Sequence, residues 1–254
     1  MLPFAVLGIA GSPPSKPQDD PRGQPQDTAA SSGYLARTSY QDPAVASRYE
    51  AVRLGSPIGR FLDKREKRSV RRALDGLPRR AAILELACGT GRMTRVLLER
   101  GFSTLGADIS IPMMRQSRAA LGSMEGNRGL VRCDAARLPF KDRSFEAVVA
   151  IRFIAHLPPA VRYQVFSETA RVSRGPVVFS GQSPWSLTHL YRRLVKWRST
   201  AVRSTWIGGG KARTQSFSPR ALERETSRHG LSLEATHRVL PVVAETYVAR
   251  LKHA

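Results

Sequence analysis

The stretch from Ala82 to Arg92 constrains this chain more than any other. Ala82–Leu86 is a short apolar run carrying one acid, Glu85. Ala87-Cys88-Gly89-Thr90-Gly91 then interrupts it, and helical periodicity begins at Met93. A buried strand, a glycine turn and a helix in immediate succession open a parallel-sheet unit, because the chain must cross over before its next parallel strand. Gly89 and Gly91 let the backbone approach a ligand where a Cβ would clash. The carboxyl edge of such a sheet is where open α/β folds take ligands.

The alternation continues downstream. Met93–Arg100 reads as a helix stopped by Gly101, Ser103–Ala107 as a strand and Pro112–Leu121 as a helix. Leu130–Cys133 is a short strand, Ser144–Ile151 a buried one, Pro159–Val172 an amphipathic helix and Pro176–Ser180 another apolar strand. Pro219–His229 forms a helix closed by Gly230, with Leu231–Val239 and Val242–Leu251 as an antiparallel edge pair. This pattern predicts an α/β fold: a Rossmann-like, doubly wound, seven-stranded, mostly parallel sheet with helices on both faces.

The ends differ in character. Residues 1–33 are rich in Pro, Gly, Ser, Gln and Asp and bury too little apolar surface to offset ordering entropy, so they are expected to form a disordered tail. The opening MLPFAVLGIAGS has the apolar run of a signal peptide without its basic flank, and a misplaced start codon is the other reading. Residues 34–80 read as a helical lead-in, and 81–254 as the main domain with a basic, Trp-bearing cap at 182–217. In the lead-in, Phe61, Leu62, Val70, Ala73 and Leu74 recur at helical spacing among Arg60, Lys64, Arg65, Lys67, Arg68, Arg71 and Arg72; the basic run reads as a solvated face. The longest uncharged apolar stretch near either end, Leu2 to Ala10, is too short to span a bilayer. Two cysteines, Cys88 and Cys133, make no disulfide framework and suit a reducing, cytoplasmic setting. The five histidines have no partners at ligand spacing, so no metal site is expected.

Three acids fall at three successive strand ends. Glu85 precedes the glycine turn, where a carboxylate suits a cationic amino group better than a diphosphate. The third glycine position of a dinucleotide fingerprint is Thr94, and Arg92 starts the helix. Asp108 ends the second strand, placed to accept from both hydroxyls of a ribose. Asp134 ends the third, placed to accept from an adenine amine. Singly, Asp108 reads as a helix cap and Asp134 as a turn residue; together with the turn they read as a site.

These pieces, LELACGTGR, GADIS-IPMM, CDAARLPF and SFEAVVAIRFIAHLP, resemble the class I S-adenosylmethionine-dependent methyltransferases. The bacterial group that includes ubiquinone and menaquinone methyltransferases is the most similar. The resemblance runs from about Tyr40 to Leu251 and is strongest from Ile83 to Pro158. It implies S-adenosylmethionine as cofactor, with Glu85, Ala87, Gly89 and Gly91 at its methionine end. Asp108 would hold the ribose, Ile109 would pack on the adenine, and Asp134 with Ala135 would cap its edge. Ile151 and Arg152 would sit under the sulfonium. The family often has Gly where this chain has Ala87. Tyr40 and Tyr49 lie in a segment resembling the family's lid and read as packing residues. His156, just past the fourth strand, is the candidate general base, with a helix-cap or supporting role as the alternative.

The acceptor side is the most individual part. From Thr169 to Leu222 there is no acid, and Trp185, Trp197 and Trp206 all fall there. Trp185–Arg198 reads as an amphipathic basic helix, suited to packing on the sheet, capping an apolar pocket, lying on an anionic membrane surface, or stacking bases and pairing phosphates. The formal charge of +21 invites nucleic acid, yet the basic residues divide into 34 Arg and 7 Lys, the skew of a GC-rich genome. After the fourth strand, Ile151-Arg152-Phe153-Ile154 has neither the Asn/Asp-Pro-Pro-aromatic signature nor the catalytic Cys common in RNA methyltransferases for adenine or cytosine. The expectation is therefore methyl transfer to a small or lipid-like acceptor, with the enzyme cytoplasmic and in peripheral contact with membrane. An RNA methyltransferase and an inactive methyltransferase-fold binding protein are the alternatives.

Overall fold

The computed structural model describes residues 40–182, 215–240 and 246–254. Helices α1 (Pro43–Leu54) and α2 (Pro57–Ala73) lead into β1 (Ala82–Leu86), α3 (Arg92–Glu99), β2 (Ser103–Asp108), α4 (Ile111–Leu121) and β3 (Asn127–Arg132). The chain continues through β4 (Ala147–Ala150), a 3-10 turn (Ile154–His156), α5 (Pro159–Val172) and β5 (Val177–Gln182). It resumes with α6 (Pro219–Thr226), a second 3-10 turn (Ser227–His229), β6 (Leu231–Arg238) and β7 (Thr246–His253). The Trp185–Arg198 helix and the tryptophans of the expected cap lie outside the described residues, as does the tail.

The seven strands form one sheet in the order β3-β2-β1-β4-β5-β7-β6. β1 pairs in parallel with both β2 and β4, and β7 runs antiparallel between β5 and β6. The sheet is the expected Rossmann-like one, with its antiparallel edge pair. Strand order reverses between β1 and β4, so the carboxyl ends of β1, β2 and β4 bound one crevice. Apolar side chains fill both faces. Leu84, Leu86, Val148 and Phe179 lie on the α5 and α6 side, and Ile83, Val149, Val178 and Val248 on the α2 and α3 side. Serines cap three helices: Ser56 for α2, Ser110 for α4 and Ser218 for α6. Each accepts a backbone N–H and is followed by proline in the first turn.

Several boundaries move for local reasons. β3 forms earlier than Leu130–Cys133, because it is a half-exposed edge strand whose apolar signal is weak. β4 stops at Ala150, since the backbone turns left-handed at Arg152 with φ 59°. The stripe of α2 is also different. Asp63, Glu66, Ser69, Val70 and Ala73 face inward, whereas Phe61 is 53% exposed. Counting back from Ala73 and Val70 in steps of three, four and seven lands on Glu66 and Asp63, not on Phe61. Arg60, Lys64, Arg68 and Arg72 do point to solvent. Among the described residues no helix is long and apolar enough to cross a membrane.

Candidate functional site

A cleft of about 1030 Å³, part of it open to solvent, lies at the carboxyl ends of β1, β2 and β4. Its floor is the strand-to-helix turn. Glu85 is 3% exposed, and its carboxylate accepts from the Thr94 hydroxyl at 2.5 Å. Burial pushes this carboxyl up to about 8; the Thr94 bond and Arg92 oppose the rise, and Asp108 adds to it. The turn climbs through left-handed residues at Ala87 (φ 52°), Gly89 (φ 56°) and Gly91 (φ 79°). At Gly89 the nearest atom to an added Cβ is 3.9 Å away, so the space above that backbone is open. Gly91 is not part of the lining. A Cβ there would come within 2.5 Å of Ser117 Oγ, so this glycine serves the seating of α3 against α4.

Asp108 ties two loops together. Its carboxylate accepts from the Gly89 N–H and the Ser110 N–H, both at 2.8 Å. The helix cap is Ser110, so Asp108 is left to face the cleft. Burial raises its carboxyl, and the N–H donors hold it down in part. Ile109 lines the cleft, and its carbonyl accepts from the Gln41 amide at 3.1 Å, fastening the segment before α1 to the loop after β2. Ser110 Oγ donates to the Tyr40 carbonyl at 2.5 Å in the same seam. Asp134 and Ala135 form the neighbouring wall. Asp134 also makes its turn, accepting from the Ala136 N–H at 3.0 Å.

Ile151, Arg152 and His156 supply the far wall. His156 Nδ1 is buried without a hydrogen-bond partner, and burial, then Arg152, lowers its pKa, so the imidazole is neutral at physiological pH. All the residues singled out above except Gly91 therefore line one cleft. Tyr40 and Tyr49 line it too, their rings meeting edge to face with centroids 6.0 Å apart. Thr90, at the turn, donates to Glu50 of α1 at 2.5 Å.

The feature that sequence reasoning missed is a buried charge cluster behind this wall. Glu66 is fully buried and accepts from Arg53 at 2.8 Å, Arg92 at 3.1 Å and Arg152 Nε at 2.8 Å. Asp63 accepts from Arg92 at 2.5 Å and from Lys67 at 2.9 Å. Burial alone would raise the Glu66 carboxyl, but the three guanidiniums outweigh it and hold it below the usual range. The available signal was the phase of Asp63 and Glu66 with Val70 and Ala73. Among the described residues no group of three or more His, Cys, Asp or Glu is placed to hold a metal.

Comparison with known proteins agrees with this architecture. Residues 83–175 match the family model described as a methyltransferase domain. A demethylmenaquinone methyltransferase from Thermus thermophilus is 36% identical over 106 residues, 41% of this chain and 47% of that one. A second, from Beutenbergia cavernae, is 32% identical over 146 residues, 56% of this chain and 57% of that one. The chain thus spans about half the length of these curated relatives. Among solved structures, magnesium protoporphyrin IX methyltransferase from Synechocystis PCC 6803 with bound SAH superposes with a TM-score of 0.68 at 14% identity, covering 87% of this chain and 99% of that one. The fold is that of the class I S-adenosylmethionine-dependent methyltransferases, and the chain is similar in sequence to enzymes of the menaquinone type and in fold to one of the magnesium protoporphyrin type, without narrowing to either.

Proposed function

We propose that the cleft binds S-adenosylmethionine and that the chain catalyses methyl transfer from it to a small or lipid-like acceptor. The observation that carries this reading is the pairing of Glu85 with Asp108 on either side of an open left-handed turn. Buried carboxylates on a bare backbone suit a ligand with an ammonium group and a ribose. The cofactor supplies an electrophilic methyl on a sulfonium. Glu85, with Ala87 and Gly89, would receive its amino-acid end, and Asp108 its ribose. Ile109, Asp134 and Ala135 would bound the adenine, and the backbone at Ile151 and Arg152 the sulfonium. The protein's contribution is alignment of two reactants and exclusion of water.

Residues 34–80 would act as a lid. Tyr40 and Tyr49 cover the cleft, and the Gln41–Ile109 and Thr90–Glu50 bonds latch the segment to both cofactor loops. His156, neutral and on the cleft wall, would hold or take a proton from an acceptor hydroxyl or amine. The test has two steps. Titration calorimetry should show binding of S-adenosylmethionine and of SAH, and labelled cofactor with a fractionated extract should place methyl label in the organic or small-molecule fraction. Absence of cofactor binding sinks the reading, and label in a nuclease-sensitive fraction replaces it with an RNA acceptor.

A further inference from the structure

The wall opposite Glu85 carries more positive charge than its carboxylates neutralise. Arg53, Lys67, Arg92 and Arg152 converge on Asp63 and Glu66, and Glu50 is the next acid, spent on Thr90. Four cations face three carboxylates. Arg53 is crowded by its neighbours: its Nε is buried without a hydrogen bond, 3.8 Å from Asp63, and burial, then Arg92 and Arg152, depress its guanidinium.

Arg152 is the cluster member that both lines the cleft and stays substantially open, with 34% of its side chain exposed against 11% for Arg92. Glu66 grips it through Nε, with both carboxylate oxygens within 3.1 Å. Its two terminal nitrogens make no hydrogen bond among the described residues. The backbone at φ 59° is one that a non-glycine residue keeps only when its surroundings enforce it, and here the N–H is pinned to Ser180 Oγ at 2.5 Å. The side chain is thus aimed from behind and unspent in front. On the same wall, His156 Nδ1 is buried and unpartnered. Glu85 and Asp108 are committed to the cofactor in the reading above, and a sulfonium brings another positive charge. The cofactor's own carboxylate offsets one of its two positive charges, and a negative group on the second substrate would offset the remainder at this wall.

We propose that the acceptor carries a carboxylate, and that the terminal nitrogens of Arg152, held in place through Nε by Glu66, bind it with His156 as a second donor. Arginine suits this because its planar fork pairs with a carboxylate through two parallel bonds while a third nitrogen remains for Glu66. The proposal rests on the methyltransferase reading and names the class of substrate within it.

The test separates the two. Protein saturated with SAH is titrated with decanoate and with decanamide, which share a chain and differ in charge. Decanoate should bind at least tenfold more tightly. Arg152→Gln should remove that preference while leaving decanamide within about twofold, and Arg152→Lys should restore part of it. In Arg152→Gln, Glu66 keeps Arg53 and Arg92, so the variant should fold, and a melting curve checks this. Equal binding of the two probes overturns the proposal. So does a decanoate preference that survives Arg152→Gln, which would place the anion elsewhere on the cationic surface. Failure of SAH to saturate the protein is a different result: it brings down the methyltransferase reading and the proposal with it.

Discussion

At the scale of single residues, the turn after β1 sets the terms. Ala87 sits at φ 52°, where a side chain costs roughly 1–2 kcal/mol, and this is the physical reason that glycine is frequent at the position in the family it resembles. Glycine also loosens the unfolded chain, by about 0.4–1 kcal/mol. Ala87→Gly should therefore gain a net of roughly 0.5–1 kcal/mol, read as a higher melting temperature. Asp108 presents a sharper case, because it both ties Gly89 to Ser110 and faces the cleft. Asp108→Ala should weaken S-adenosylmethionine by about 1.5–3 kcal/mol for each charge-assisted bond lost, whereas unchanged affinity by calorimetry would remove the ribose assignment. With Glu85 at the amino-acid end of the cofactor, as proposed, binding becomes a proton-linked event. Its carboxyl is raised to about 8 in the free cleft, and an ammonium group beside it would pull that value down. The bound state then holds fewer protons, so affinity should climb with pH until about 8 and level off. Glu85→Gln should flatten the climb, and calorimetry in buffers of differing ionisation enthalpy should report proton release in the parent protein only.

At the scale of elements, the lead-in helices are joined to the sheet by charge as much as by apolar contact. Glu66 on α2 binds Arg53 of α1, Arg92 of α3 and Arg152 beyond β4. Removing the shared carboxylate from a buried ionic cluster costs about 3–5 kcal/mol, because its guanidiniums are left uncompensated. Glu66→Gln should destabilise by that order, visible in chemical denaturation. The pH dependence follows from the depressed Asp63 and Glu66 carboxyls. Groups with folded values below their unfolded ones stabilise fully above the unfolded range, near 4, and lose that contribution as pH falls through the depressed values. Acid should therefore release α1 and α2, followed by hydrogen exchange. The raised Glu85 works the other way, its contribution shrinking as pH climbs from 4.5 towards 8. These elements also mark the limit of what the sequence discloses. Glu85, Asp108 and Asp134 were legible because an acid closing an apolar strand is a local pattern. The Arg152–Glu66 pair joins residues 86 apart, and no window contains both. On α2 itself, seven cations masked two acids whose phase alone marked them as inward.

At the scale of the whole molecule, the question is what a charge of +21 is for. Part of the arginine is engaged in structure. Among the described residues nine arginines besides Arg152 pair with carboxylates, including Arg162 with Glu225, Arg171 with Asp142, Arg174 with Glu146 and Arg250 with Glu234. An arginine satisfied within the fold contributes little directed affinity for phosphate, since its forked donors are already occupied. The remaining field is long-ranged and screened by salt, with a Debye length of about 8 Å at physiological ionic strength. Bulk tRNA should accordingly bind at low salt and release steeply, losing roughly 10³–10⁵ in affinity between 50 and 200 mM if six to ten phosphates are contacted. Methyl transfer to a small acceptor should proceed unchanged when tRNA is added at 150 mM salt. Tight tRNA binding that persists at 200 mM, together with competition against the small acceptor, would show that the charge surrounds a built polynucleotide site. Steep release without competition would show a basic surface that attracts polyanions through its long-ranged field and has no built site for them.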